Sequence, residues 1–217
     1  MTSIWDRVYL DQCYDLAKNS TCVKAKVGAQ VRGHYGDMPM HLLGQGFNQS
    51  PNPAYSDCAK LCAGGIRCGI KSGTQLESCY AIHAEQYAIH QAGIHAKGAT
   101  LYVASFDENG NKRLKDASLP LGHPMHGFYC SMCARAVWMA GIKRIVTDGV
   151  DGIVEFTPED IWRTAFGVAA SINIHAEKES TQSAAAHKVC CGVPDGPDPV
   201  QSCIDPQDET RVAKGTA

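Results

Sequence analysis

The chain has 217 residues, 20 Lys+Arg against 22 Asp+Glu for a net charge of −2, with 44% hydrophobic and 19% charged residues. This composition excludes a disordered chain and supplies enough apolar surface for one core to fold without staples. The slight acidity excludes a broad phosphate-coating surface, though not a local basic pocket, and no apolar stretch approaches the ~20 residues of a membrane span.

Residues 3–19 carry apolar side chains at helical spacing (Ile4, Val8, Ala17), and Asn19-Ser20-Thr21 marks the stop. Val27 to Val31 and Leu42 to Phe47 are predicted strands around the turn-forming Gly33 to Asp37. Residues 48–80 read as a Cys-rich loop, with Pro51, Pro53 and Gly64-Gly65, long enough to imply a function or a metal pin. Ala84, Tyr87, Ala88 and Ala92 predict a helix that Gly93 ends, and Thr100 to Ala104 a strand. After an inserted Gly/Pro/charge-rich loop over 107–128, Ala134, Val137 and Ala140 mark a helix closed by Gly141, and Lys143 to Thr147 a strand. Thr157-Pro158-Glu159-Asp160 opens a last helix: Thr as N-cap, Pro at the first position, acids in the first turn. The alternation predicts an α/β layered domain over 1–179. Residues 180–217, with Pro194, Pro197, Pro199 and Pro206, read as an extended or disordered tail.

Eleven cysteines are the unusual feature. They are about 5% of the chain, below the roughly 8–10% of a disulfide scaffold. Met1 to Asp6 shows neither the basic nor the apolar region of a secretory signal, so a cytoplasmic protein is expected. In a reducing compartment such cysteines are buried thiols, metal ligands or redox groups.

Two short motifs carry chemistry, His83-Ala84-Glu85 and Cys130-Ser131-Met132-Cys133. Neither is specific alone, and His175-Ala176-Glu177 repeats the first. Order separates the copies. His83 opens a predicted helix, a strand follows, and Cys130 and Cys133 open the next helix; nothing comparable follows His175. Residues three apart share a helix face, and a helix N-terminus stabilises thiolate, so both sulfurs can reach one ion. One imidazole and two thiolates leave a fourth tetrahedral position for water, the arrangement of a catalytic zinc. Glu85 stands where it can shuttle that water's proton.

The order His-x-Glu, strand, Cys-x-x-Cys resembles the signature of the zinc-dependent cytidine/deoxycytidylate deaminases. The likeness is greatest to deoxycytidylate deaminases. Ser20-Thr21-Cys22 with Val27-Gly28-Ala29 resembles their first strand, and Gly46-Phe47-Asn48-Gln49-Ser50-Pro51 their Gly-Tyr-Asn-Gly-x-Pro loop. Tyr80 to Gln86 is similar to the segment entering the zinc helix, and Leu101-Tyr102-Val103 and Ala140 to Lys143 to later landmarks. The resemblance implies a three-layer α/β/α sandwich with a mixed sheet of about five strands, and a homo-oligomer. It implies Zn²⁺ on His83, Cys130 and Cys133, with Glu85 as the catalytic proton carrier. Asn48 would bind the sugar or an equivalent group, and the backbone at Ala84 the base edge. The implied reaction is hydrolytic deamination of a free cytosine-type nucleotide or nucleoside, hydroxide attacking the amine-bearing carbon and ammonia leaving. Three departures stand out: Tyr129 where relatives have Pro, Tyr87 where they have Asn, and the 107–128 insertion. The insertion carries Asp107, Glu108, Lys112, Arg113, His123 and His126.

Cys58, Cys62, Cys68 and Cys79 leave two readings open, a second, structural zinc or ordinary free thiols, with Cys22 a substitute for any of the four. Two other functions also stay open. One keeps the zinc chemistry but acts on a non-nucleotide amino-heterocycle; the other is a non-enzymatic, zinc-stabilised interaction protein. A small-molecule substrate is expected; nucleic acid is not, because the chain is slightly acidic and has no dense basic stripe, and a membrane is not, because no apolar stretch reaches the length of a span.

Overall fold

Ser3 starts the first helix, α1 (Ile4–Ala17), through a capping box: its Oγ accepts from the Trp5 N–H, and Asp6 Oδ2 accepts from the Ser3 N–H at 2.8 Å. The computed structural model describes residues 3–36, 38–51, 62, 69–70, 75–116, 118–119 and 130–166. The expected tail over 180–217 and its boundary at 179, Cys58, Cys68, His123, His126 and Tyr129 lie outside the described residues.

Five strands form one sheet in the order β2-β1-β3-β4-β5. They are β1 (Ala25–Tyr35), β2 (Met38–Phe47), β3 (Thr100–Asp107), β4 (Arg144–Gly149) and β5 (Gly152–Phe156). Only β3 and β4 are parallel, which requires a crossover, and α3 (Ser131–Ala140) provides it. Among the described residues the other helices are α2 (Ala84–Ala92), continued by a 3₁₀ turn over Gly93–Ala96, α4, helical over 158–166, and a short 3₁₀ turn over Leu76–Ser78. The expected α/β class and mixed five-stranded sheet are both present.

Side-chain alternation sorts the layers. Leu101 and Val103 of β3, Ala29 and Val31 of β1 and Ile145 of β4 pack with Ala84, Ala88, Ala134, Val137 and Ile161. That is the α2–α3–α4 layer. Tyr102, Ala104 and Val146, one residue out of step, pack with Tyr9, Leu10, Cys13 and Tyr14 of α1 on the opposite face. Two glycines set the approach of helix to sheet. A Cβ on Gly28 would overlap the Cys13 carbonyl oxygen of α1, and one on Gly44 would overlap the Ala88 carbonyl oxygen of α2.

Two buried acids tie α1 to the sheet. Asp6 accepts both guanidinium arms of Arg144 at 2.9 Å and the Tyr102 hydroxyl at 2.7 Å, and Arg144 also pairs with Glu155. Asp148 accepts two bonds from Arg7, at 2.9 and 2.7 Å, and one from the Tyr14 hydroxyl. Burial alone raises the Asp6 carboxyl. The bonds from Arg144, Tyr102 and Ser3 outweigh it and hold the pKa at about 2.

The strands run further than their apolar cores suggest. β1 and β2 are paired out to Tyr35 and Met38, so the hairpin turn narrows to the region of Gly36, whose φ is +58°. β5 was not expected. A Val150-Asp151 turn reverses the chain, and Gly152 (φ +120°) starts a strand whose Ile153 and Val154 are only half buried. The Thr157 cap is as expected: Asp160 N–H donates to Thr157 Oγ1, and Thr157 N–H to Asp160 Oδ2.

Two predictions follow from this packing. Gly44→Ala is expected to lower unfolding free energy by ~1–3 kcal/mol in urea titrations, because backbone rather than a movable side chain blocks the new methyl. Asp6→Asn is expected to lower it by about 2 kcal/mol near pH 7. A depressed folded-state pKa contributes stability above the unfolded value and loses it as pH falls. The Asp6→Asn deficit should therefore shrink as pH falls through the ordinary carboxylate range toward about 2, as thermal unfolding at each pH would report.

Candidate active site

α2 leads, through the Gly93–Ala96 turn, back into β3, so its first turn lies over the C-terminal end of that strand. α3 also begins beyond the C-terminal end of β3 and returns into β4. Two helix N-termini thus converge at the edge of the parallel strand pair, where α/β sheets characteristically place their sites.

His83 is the N-cap of α2, in extended backbone conformation, with its N–H donated to Gln86 Oε1 at 3.2 Å. Cys130 is the N-cap of α3, where its sulfur accepts from the Cys133 N–H. The helices bring His83 Nδ1 to 3.2 Å from Cys133 Sγ and 3.3 Å from Cys130 Sγ. Among the described residues this trio is the one group of three or more His, Cys, Asp or Glu side chains that could hold a metal ion.

The charge state follows from burial and proximity. The Cys133 thiol hydrogen-bonds the Cys130 sulfur and, despite burial, lowers its pKa to about 4, with His83 adding to the effect. Cys133 is pushed well above the ordinary thiol range by the neighbouring Cys130 sulfur and by burial. Burial opposes a charged His83, but Cys130 and Glu85 outweigh it and raise the imidazole to about 9, with a contribution from nearby Cys22. Glu85 is 6% exposed, and burial raises its carboxyl pKa against the pull of His83. Its carboxyl hydrogen-bonds Cys133.

The donor set fits zinc. Zn–S near 2.3 Å and Zn–N near 2.0–2.1 Å, at the tetrahedral angle, separate a ligating nitrogen and sulfur by about 3.5 Å. Three protein ligands, rather than four, are the complement of a catalytic zinc. A cation here would replace the protons that His83 and Cys133 otherwise hold.

The other expected residues fall as follows. Ala84 is fully buried in the first turn of α2, between the ligand and the acid. Asn48 is 7% exposed; its Oδ1 accepts from the Val27 N–H at 2.7 Å and its Nδ2 donates to the Ala25 carbonyl at 2.8 Å. It therefore stitches the start of β1 to the end of β2. Cys62 is buried and Cys79 half-buried; with Cys58 and Cys68 outside the described residues, the trio is not accompanied by a second metal cluster among those that are described.

Part of the insertion is built into the sheet. Asp107 Oδ1 accepts from the Asn109 and Asn111 N–H groups, closing a turn. Lys112 then bridges Phe106, and Arg113 N–H donates to the Ser105 carbonyl at 2.8 Å. Lys115 bridges Gly149. Lys115 escaped the reading of the sequence, although a lysine three residues beyond Lys112, on a segment following a turn, is the available signal. Burial, assisted by Arg113 and opposed by Glu85, lowers its pKa to about 8.

Residues 3–148 match the family model described as the cytidine and deoxycytidylate deaminase zinc-binding region. The chain belongs to this zinc-dependent deaminase family. It is similar to the deoxycytidylate deaminase of Schizosaccharomyces pombe (strain 972 / ATCC 24843), 33% identical over 92 residues, covering 41% of this chain and 26% of the relative. The match thus spans about a quarter of that relative's length. Among solved structures, Acinetobacter baumannii RibD (form 1) is 25% identical with a TM-score of 0.34, over 65% of this chain and 27% of that one. The dCMP deaminase from the cyanophage S-TIM5 in apo form is 16% identical with a TM-score of 0.44, over 76% and 94%. No helix of the described residues is long and apolar enough to cross a membrane.

Metal analysis of the purified chain is expected to return one zinc on this site. His83→Ala, Cys130→Ser and Cys133→Ser should each reduce it to a small fraction, read by plasma mass spectrometry after dialysis.

Proposed function

We propose that the chain is a zinc-dependent hydrolytic deaminase acting on a free cytosine-type nucleotide or nucleoside, a dCMP-like substrate. The observation that carries the reading is Glu85, a buried acid two residues from His83 and bonded to Cys133, beside a three-donor metal site. The family match and the deoxycytidylate deaminase relative support the substrate class.

When bound, zinc supplies the positive charge that makes a water nucleophilic near neutral pH. His83, Cys130 and Cys133 would hold that charge where the two helices begin, and Glu85 moves the protons. Its carboxylate takes one proton from the attacking water and gives it to the ring nitrogen beside the reacting carbon. A carbon–oxygen bond forms there. The water's second proton passes through the same carboxyl to the exocyclic amino group, the carbon–nitrogen bond breaks, and ammonia leaves. The proton balance closes, since both delivered protons come from the water. Burial suits Glu85 to this task, because a carboxyl whose pKa is raised holds a proton between the two transfers. The backbone at Ala84 lies between ligand and acid, where it meets the edge of a base. Asn48 retains one amide N–H and one Oδ1 lone pair beyond its two bonds to β1, enough for one sugar hydroxyl.

Ammonia release is to be measured on dCMP, deoxycytidine, cytosine and guanine. Turnover of dCMP or deoxycytidine is expected, and Glu85→Gln should lower it at least ~100-fold with zinc content unchanged. Ammonia release unchanged in that variant would overturn the mechanism. Turnover confined to a non-nucleotide amine would overturn the substrate class.

A further inference from the structure

Resting on the deaminase reading, the geometry points to Lys115 as a substrate-binding residue: its ammonium, carried by the segment inserted between β3 and α3, holds an anionic substituent of the substrate, the phosphate of a nucleotide.

Three observations on the fold support this assignment. First, the position of Lys115 is fixed from both sides of its own backbone. Its N–H donates to the Asp148 carbonyl at 2.9 Å, and its carbonyl accepts from the Val150 N–H at 2.9 Å. The residue is pinned to the C-terminal end of β4, at the edge of the sheet where α2 and α3 begin.

Second, the two faces of the sheet assign its side. Lys112 bridges Phe106, whose ring packs with the α1 layer, and the Lys112 ammonium lies 4.1 Å from the Tyr14 ring centroid and 3.9 Å from Asp148. Lys112 therefore belongs to the α1 face. Lys115 bridges Gly149 in parallel fashion, and bridge partners point to the same face. Along β4, Ile145 packs in the α2–α3 layer and Val146 in the α1 layer. The two-residue period puts Thr147 and Gly149 with Ile145. Lys115 consequently faces the layer that holds His83, Glu85, Cys130 and Cys133.

Third, the charges agree. Lys115 is half-buried and interacts electrostatically with Glu85, and Arg113 is close enough to repel it. Two positive charges thus act on one another beside the site, on a chain whose net charge is −2. A negative group on the substrate relieves that repulsion and forms a charge-assisted hydrogen bond with the ammonium. A lysine that served only as the counter-charge of Glu85 would instead affect every substrate alike. That difference is measurable.

The experiment compares the zinc-loaded full chain with Lys115→Met and Lys115→Arg, after matching zinc content and thermal unfolding. Lys115→Met is expected to lose at least tenfold more kcat/KM on dCMP than on deoxycytidine, mainly through KM, and Lys115→Arg to recover most of the difference. Equal losses on both substrates, or none, would overturn the inference. A second measurement is independent of turnover: inorganic phosphate should raise the unfolding temperature of the parent chain above chloride at matched ionic strength, and Lys115→Met should abolish the increment. A parent chain with no increment, or an increment that survives in Lys115→Met, overturns the inference. Should the parent chain deaminate neither substrate, the deaminase reading falls separately and the phosphate measurement alone decides the role of Lys115.

Discussion

Charge without water is the constraint on which the site depends. His83, Glu85, Cys130 and Cys133 gather where two helices begin, with Glu85 and Cys133 buried. Two helix N-termini favour negative charge there, but each contributes only ~0.3–1 kcal/mol. Withdrawing an ion from water carries a penalty of several kcal/mol. Dipoles alone therefore fall short. The same crowding of negative groups raises the pKa of the His83 imidazole and of the Cys133 thiol. A divalent cation held by His83, Cys130 and Cys133 would answer the same deficit, and Glu85, which is not one of the three donors, would keep its carboxyl for proton exchange.

Such a site requires helices that cannot drift. Backbone contact, more than side-chain bulk, holds them. Gly44 lets α2 sit directly on β2, and Gly46 places Tyr87 and the Ala84 carbonyl against the same strand. Gly28 does the same for α1 on the opposite face. Asn48 joins β1 to the end of β2 with two side-chain bonds, close to the bridge between Gln49 and Ile82 that delivers the chain into α2. The position of His83 is thereby set by the sheet, through a path of hydrogen bonds and close packing with few rotatable side chains. The Asp6–Arg144 and Asp148–Arg7 pairs lock α1 against β3 and β4 from below.

Much of this was legible in the residues. The helix starts at His83 and Cys130, the stops at Gly93 and Gly141 and the Thr157 cap all follow from local chemistry, and that chemistry is also what builds the site. What escaped depends on pairing. The outer halves of β1 and β2 carry Arg32, His34 and His41, polar residues that lie in strands because a neighbour supplies hydrogen bonds. β5 is a five-residue edge with a charged Glu155, so its apolar alternation is faint, although Asp151-Gly152 is a hairpin signal. The Asn48 amide illustrates a different limit. A residue that suits a sugar hydroxyl suits a strand backbone as well, and its bonds to Val27 and Ala25 depend on a strand pairing that local sequence does not specify.

The insertion lies in the connection between β3 and α3, beside the three potential metal ligands. Its leading end leaves β3, and its trailing end enters α3 at Cys130, so the metal ligands and the sheet fix both limits. Closing a longer loop between fixed ends is cheap, about 0.6 kcal/mol for each doubling of length. The Lys112–Asp148 pair, nearly half exposed on the lysine side at 3.9 Å, adds little to holding the segment. The backbone pairs at Ser105, Phe106, Asp148 and Val150 do that instead. A segment held by its main chain is free to vary its side chains. Lys112 toward α1 and Lys115 toward the metal site are thus two faces of one strand-like passage, one turned to packing and the other to recognition.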